Sequence, residues 1–158
     1  MLVYEALARQ DKPVQAWIAR GINPDGAHKC WHITSTEISE QSFPKLGSLF
    51  QSGRRFAHAI SFHGHKGSEV IVGGGEVGDE HAAFKKRLCE RIAAALPGVT
   101  VRVKTSGDLA GAQPANIVNR VTKLGNGIQI EQPRSVRRDD VQRAAIANAV
   151  VESYAGLI

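Results

Sequence analysis

Two stretches of the sequence carry side chains that can do hydrolytic chemistry. The first is "AISFHGHKG", Ala59 to Gly67, in which an apolar run ends on His63, Gly64 and His65. The second is "NGIQIEQ", Asn126 to Gln132, in which Ile128 and Ile130 alternate with Gln129 and Glu131. In an open α/β sheet, ligands bind outside the carboxyl ends of the strands. His63 ends one predicted strand and Glu131 ends another, so adjacent placement of the two strands would bring an imidazole and a carboxylate to one crevice. A metal held by His63 would polarise a carbonyl and acidify a bound water, and Glu131 would accept that water's proton as general base. The competing reading makes Glu131 an exposed strand end paired with Arg134 or Arg138, and spacing alone leaves both readings open.

Other polar residues give weaker signals. The chain has six histidines, His28, His32, His58, His63, His65 and His81. Zinc takes three or four converging ligands, and neither an H-E-x-x-H pair nor a paired-cysteine spacing occurs here. "NIVNR" gathers Asn116, Asn119 and Arg120, and an arginine fork suits a carboxylate. The alternative for this set is loop capping by the asparagines beside a solvated arginine. Gly73 to Gly78 matches G-x-G-x-x-G between a predicted strand and a helix. The helix opens on Asp79 and Glu80, which would repel a pyrophosphate. The acid expected about 20 residues further on is missing. The run therefore reads as a glycine-rich turn.

The elements that must position these residues alternate between strand and helix. "VQAWIARGI" (Val14 to Ile22) reads as a strand followed by the turn "NPDGAHK", and "WHITST" (Trp31 to Thr36) as extended chain. Phe43 to Arg55 reads as a helix or an irregular connection. "FAHAISFH", "SEVIVGGG", "VTVRVK" and "NGIQIEQ" follow as strands. On the first of these, His58, Ile60 and Phe62 share one face, and Ala57, Ala59, Ser61 and His63 the other. Asp79 to Leu96 is the clearest helix, with acids in its first turn and Ala83, Phe84, Leu88, Ile92 and Leu96 at helical spacing. "NIVNRV" begins a short helix. Asp139 to Tyr154 reads as a terminal helix with Val141, Ala144, Ala145, Ala149 and Val150 as its packing stripe. This alternation predicts an α/β fold: a mixed open sheet with flanking helices, in one domain over 1–158.

The chain has 158 residues, a net charge of +5, 42% hydrophobic and 22% charged residues, the balance of an ordinary globular domain. No apolar run approaches the roughly 20 residues that span a bilayer. "MLVYEALARQDKP" carries acids and lacks the apolar centre of an export signal, which implies cytoplasmic synthesis, with extracellular action only after lysis. Cys30 and Cys89 share no motif and read as reduced thiols. The positive charge favours a polyanionic partner.

"HITST", "AISFHGHKG", "VGG", "NIVNR", "GIQIE" and the trailing "RR" occur in the order found in the bacteriophage poly-γ-glutamate hydrolases, and the chain resembles that family from about Val14 to Arg138. The resemblance implies a carboxypeptidase A-like fold (phosphorylase/hydrolase-like), zinc as cofactor and an anionic polymer, poly-γ-glutamate, as substrate. It implies that His63 is a zinc ligand and that Glu131 is the base that activates water. It further implies that Asn116, Asn119, Arg120 and His32 bind or orient substrate, with Arg138, beside Arg137, helping to hold its anionic groups. His65 matches a position that varies in the family.

One part of the family pattern is missing. A His-x-Gly-Gly-x-Glu segment, expected upstream with two further zinc ligands, does not occur between Met1 and Val14. The expectation is a chain shortened at its N-terminus relative to the family. Substitution by His28, His32 or His65, or a non-catalytic relative, are the alternatives. A basic nucleic-acid-binding, replication-related phage protein is the reading from a different class, although the chain lacks interleaved aromatics and a recognition helix. A zinc amidase or carboxypeptidase with another substrate is the third.

Overall fold

The computed structural model describes residues 2–18, 32–47, 50 and 56–158. Four strands, β1 (Ile60–His65), β2 (Val70–Gly74), β3 (Val101–Val103) and β4 (Ile128–Pro133), form one mixed sheet in the order β1-β4-β2-β3. β1 runs parallel to β4, β2 runs parallel to β3, and β2 meets β4 antiparallel. β4 has a strand on both sides, and all six of its residues are buried. Its alternation of isoleucine with glutamine and glutamate therefore separates a dry face from a polar one, not a core from solvent.

The dry face carries the helices. Val70, Val72, Ile128 and Ile130 pack against Phe84, Leu88 and Ile92 of α2 (Gly78–Ala95) and against Ile146, Val150 and Tyr154 of α5 (Asp140–Tyr154). The short α1 (Leu2–Ala8) rests on α5. α3 (Ile117–Arg120) precedes β4, and α4 (Arg134–Arg138) follows it directly. The mixed open sheet with flanking helices is thus the architecture the strand and helix pattern predicts.

Some local expectations need correction. Val14–Ile18 forms no strand, and the rest of "VQAWIARGI" lies outside the described residues, as do His28, Cys30 and Trp31. The "HITST" segment is not extended throughout, because residues 35–37 form a turn. The Glu37 N–H donates to the Thr34 carbonyl at 2.9 Å, and Thr34 Oγ1 donates to Glu37 Oε2 at 2.9 Å. In α2, Ala83 faces solvent and His81 and Lys85 take the inner stripe. Lys85 is only 1% exposed, and its ammonium donates to the Gly75 carbonyl at 3.0 Å and pairs with Glu76. In α5, Val141 is 78% exposed. Asp139 caps this helix by accepting from the N–H groups of Val141 and Gln142, so its first turn stands clear of the sheet. The packing stripe begins one turn later, with Ala145 partly buried against the core and Ile146 buried.

The glycine run is structural, as the acids after it suggest. Gly74 has φ 124°, and a Cβ there would come within 2.0 Å of the Gly127 carbonyl oxygen. Only glycine lets β2 and the start of β4 approach that closely.

Candidate active site

The polar face of the sheet is set by strand register. His63 on β1 pairs with Glu131 on β4, and Ser61 pairs with Gln129. Direct partners on neighbouring strands point to the same face, so the imidazole and the carboxylate stand side by side.

Glu131 is 4% exposed. Its Oε1 accepts from Gln129 Nε2 at 2.9 Å, and Gln129 Oε1 accepts from Asn116 Nδ2 at 2.8 Å. Asn116 is itself locked as the N-cap of α3, where its side chain accepts from the Val118 N–H. A relay of two amides therefore fixes one oxygen of the carboxylate. The other, Oε2, is buried and has no hydrogen-bond partner among the described residues. Burial pushes the Glu131 carboxyl above its ordinary pKa, opposed by the charges of His65 and Arg137 and by the Gln129 hydrogen bond. A buried oxygen without a partner is a destabilising arrangement unless something polar is to fill it.

Burial pushes His63 below its ordinary pKa, with a smaller contribution from the charge of His32. The ring is therefore neutral near pH 7, the form in which a histidine binds metal. Its Nε2 lies 3.4 Å from the Ser35 hydroxyl, and that hydroxyl also lies 3.4 Å from Gln129 Oε1. Beside these groups opens a cleft of about 350 Å³ lined by Thr34, Ser35 and Thr36, by the 107–113 loop, and by Asn116 and Gln129.

The remaining residues singled out in the sequence take varied places. Asn119 is buried, and its Nδ2 donates to the carbonyls of Gly111 and Gln113, both at 2.9 Å. It shapes the cleft by holding the loop, from behind the lining. Arg120 is not among the residues that line the cleft: its guanidinium donates to the Ile38 carbonyl and lies 4.5 Å from the Phe50 ring centroid. His65 closes the turn between β1 and β2. Its Nδ1 accepts from the Gly67 N–H at 3.1 Å, which leaves the ring proton on Nε2 to bond the Glu69 carbonyl at 2.8 Å. His32 is exposed, close enough for its charge to act on His63. Arg138 is exposed at the end of α4. Of the two trailing arginines it is Arg137 whose charge reaches Glu131. Arg137 lies across Gly64, where a Cβ would come within 2.3 Å of its Nε. Gln129 and Ser35 are the two site residues that residue chemistry alone passes over. The signal for Gln129 is its place two residues before Glu131 on the polar face of a buried strand.

Among the described residues no three His, Cys, Asp or Glu side chains converge to hold a metal ion. His63, neutral and weakly bonded, fits as one ligand of the three or four that zinc takes, and these residues do not by themselves complete a set. No helix among the described residues is long and apolar enough to cross a membrane.

Comparison with known proteins bears on the family and the fold. A profile of the poly-gamma-glutamate hydrolase family matches residues 3–154. Two solved structures share the fold: "Structure of Bacteriophage poly-gamma-glutamate hydrolase", with TM-score 0.57 and 23% identity, and "YNDL-apo (Zinc-free)", with TM-score 0.61 and 21% identity. Each match covers 80% of this chain and 64% of the solved one, so the chain spans a little under two thirds of those structures. No curated protein matches significantly. With a family profile running over nearly its whole length, the chain belongs to the poly-gamma-glutamate hydrolase family.

Proposed function

We propose that this chain hydrolyses γ-glutamyl amide bonds in poly-γ-glutamate, with Glu131 as general base and His63 as one ligand of a catalytic zinc. The register pairing of His63 with Glu131 on one polar face is the observation that carries this reading. Family membership supports the substrate class, and a structural relative described as zinc-free supports the metal. Zinc, when bound, supplies Lewis-acid polarisation of an amide carbonyl.

The chain's own residues account for the proton movements. Glu131 Oε2, without a hydrogen-bond partner among the described residues, accepts a proton from the attacking water. Gln129 holds Oε1 and so leaves the buried Oε2 as the oxygen to take the proton. The raised pKa of the buried carboxyl makes it a better proton acceptor than a solvated glutamate, and Glu131 then passes the proton on to the leaving amine. Ser35 and Asn116 present a hydroxyl and an amide to the cleft, where they orient the amide and carboxyl groups of the polymer.

The test is polymer length after incubation with the purified chain, with zinc and with a chelator. Glu131→Gln is expected to lower cleavage by roughly 10³-fold with the circular-dichroism spectrum unchanged. His63→Asn is expected to lower both cleavage and bound zinc. Full cleavage by Glu131→Gln, or by the wild type in chelator, would overturn the assignment.

A further inference from the structure

The sheet row that holds His63 and Glu131 continues across the molecule. Glu131 is also the register partner of Ile71 on β2, and Ile71 is the partner of Arg102 on β3. Arg102 therefore stands on the same face as the two candidate site residues, two strand spacings (about 10 Å) from Glu131. Its guanidinium already holds a carboxylate in a two-pronged grip. Nε donates to Glu69 Oε2 at 2.6 Å, and Nη2 donates to Glu69 Oε1. Both partners are partly exposed, so a solute can reach them. Lys104 lies close enough for its charge to act on the same carboxylate.

The other cations near the site are engaged differently. Arg120 is bound to the Ile38 carbonyl and the Phe50 ring. Arg137 bonds the Gln132 carbonyl at 3.2 Å and packs across Gly64. The cleft beside Glu131 is lined by hydroxyls, amides and backbone, with Asp108 its one charged residue among the described ones. An anionic polymer crossing this face thus meets Arg137 on the β1 side and the partly exposed Arg102, with Lys104 near it, on the β3 side.

We propose that Arg102 is a carboxylate-binding subsite for a polymer bearing a free carboxylate on each residue, and that Glu69 occupies the fork in place of substrate until the polymer displaces it. This inference rests on the hydrolase reading for its substrate and on strand register for its geometry. The exchange makes and breaks no covalent bond: one carboxylate replaces another in the same bidentate grip, and Glu69 turns to water. Arg102 is a specificity-determining residue, distant from the bond that is cut.

The experiment is fluorescence anisotropy with a labelled γ-linked hexaglutamate. It uses full chains that also carry Glu131→Gln, so that the probe stays intact. Arg102→Gln is expected to weaken binding about tenfold and to flatten its salt dependence. Glu69→Gln, which removes the competitor, is expected to tighten binding severalfold. A probe with its side carboxylates converted to amides should bind both variants like their parent. Equal affinity of Arg102→Gln and its parent overturns the proposal, and so does an equal loss in both variants, which marks a purely structural pair. Polymer cleavage by the wild type, assayed separately, isolates the two readings. Cleavage without Arg102-dependent binding removes the subsite and leaves the hydrolase. Arg102-dependent binding without cleavage does the reverse.

Discussion

Arg120 shows that residue type alone does not fix what a side chain touches. Arginine in a family motif suggests substrate binding, yet the Arg120 side chain satisfies the Ile38 carbonyl and covers Phe50. Arg120→Ala is therefore expected to lower unfolding stability by about 1–3 kcal/mol through the lost charge-assisted bond and ring contact. The KM for polymer should stay near its wild-type value. A large rise in KM with unchanged urea stability would return Arg120 to the substrate. Lys85 is a second residue whose placement decides its effect. Its buried ammonium holds the Gly75 carbonyl and Glu76. Lys85→Ala leaves a void and a carbonyl without its donor, and a loss of about 2–4 kcal/mol is expected in a urea titration. Lys85→Met, which keeps the volume, should lose less. Equal effects of the two variants would show that packing is not part of the cost.

At the scale of elements, two glycines separate backbone from side-chain constraint. A Cβ at Gly74 meets a backbone carbonyl at 2.0 Å, with φ 124° besides, so Gly74→Ala is expected to cost more than about 2 kcal/mol. At Gly64 the obstacle is the far end of Arg137, which can swing away. Gly64→Ala should cost less than about 1 kcal/mol of stability while displacing the Arg137 charge from the site. The reverse order of the two costs would contradict the described approach of β2 to β4. The contrast also shows what the sequence makes legible. β4, α2 and the face shared by His63 and Glu131 follow from alternation and helical period, because long regular elements impose their own pattern. β1 instead starts later than expected, at Ile60, and β1 and β4 both run two residues past His63 and Glu131, which are therefore not strand ends. Val141 and Ala83 are misassigned to inner stripes because period alone does not say where a helix leaves the sheet. His81 and Lys85 take inner positions on α2 that no hydropathy pattern assigns to a histidine or a lysine. The role of Gln129 depends on Asn116 and Glu131 meeting in space, and no spacing along the chain encodes that.

At the scale of the whole molecule, ionisation couples stability to pH. Burial holds His58, His63 and His81 below their ordinary pKa, with the charge of His32 adding to the shift at His63 and that of Lys85 at His81. An unfolded chain binds these protons near pH 6.5 and the folded one does not. Their contribution to stability is thus complete above about pH 6.5 and is lost as pH falls toward the lower folded values. Glu131 has the opposite sign, since its raised pKa gives stability that is lost as pH rises above the ordinary carboxylate range. With three imidazoles against one carboxylate, the melting temperature is expected to drop by a few degrees between about pH 7.5 and pH 5.5, and a flat or rising curve would contradict this. The central claim concerns the same carboxylate in its working role, and the pH profile of kcat/KM for poly-γ-glutamate cleavage tests it most directly. An acid limb is expected with its midpoint above the free-glutamate value of about 4.3, moving higher still in Gln129→Leu, where the hydrogen bond that favours the ionised form is gone. A limb at or below the free value, unmoved by Gln129→Leu, would show that Glu131 is not the base.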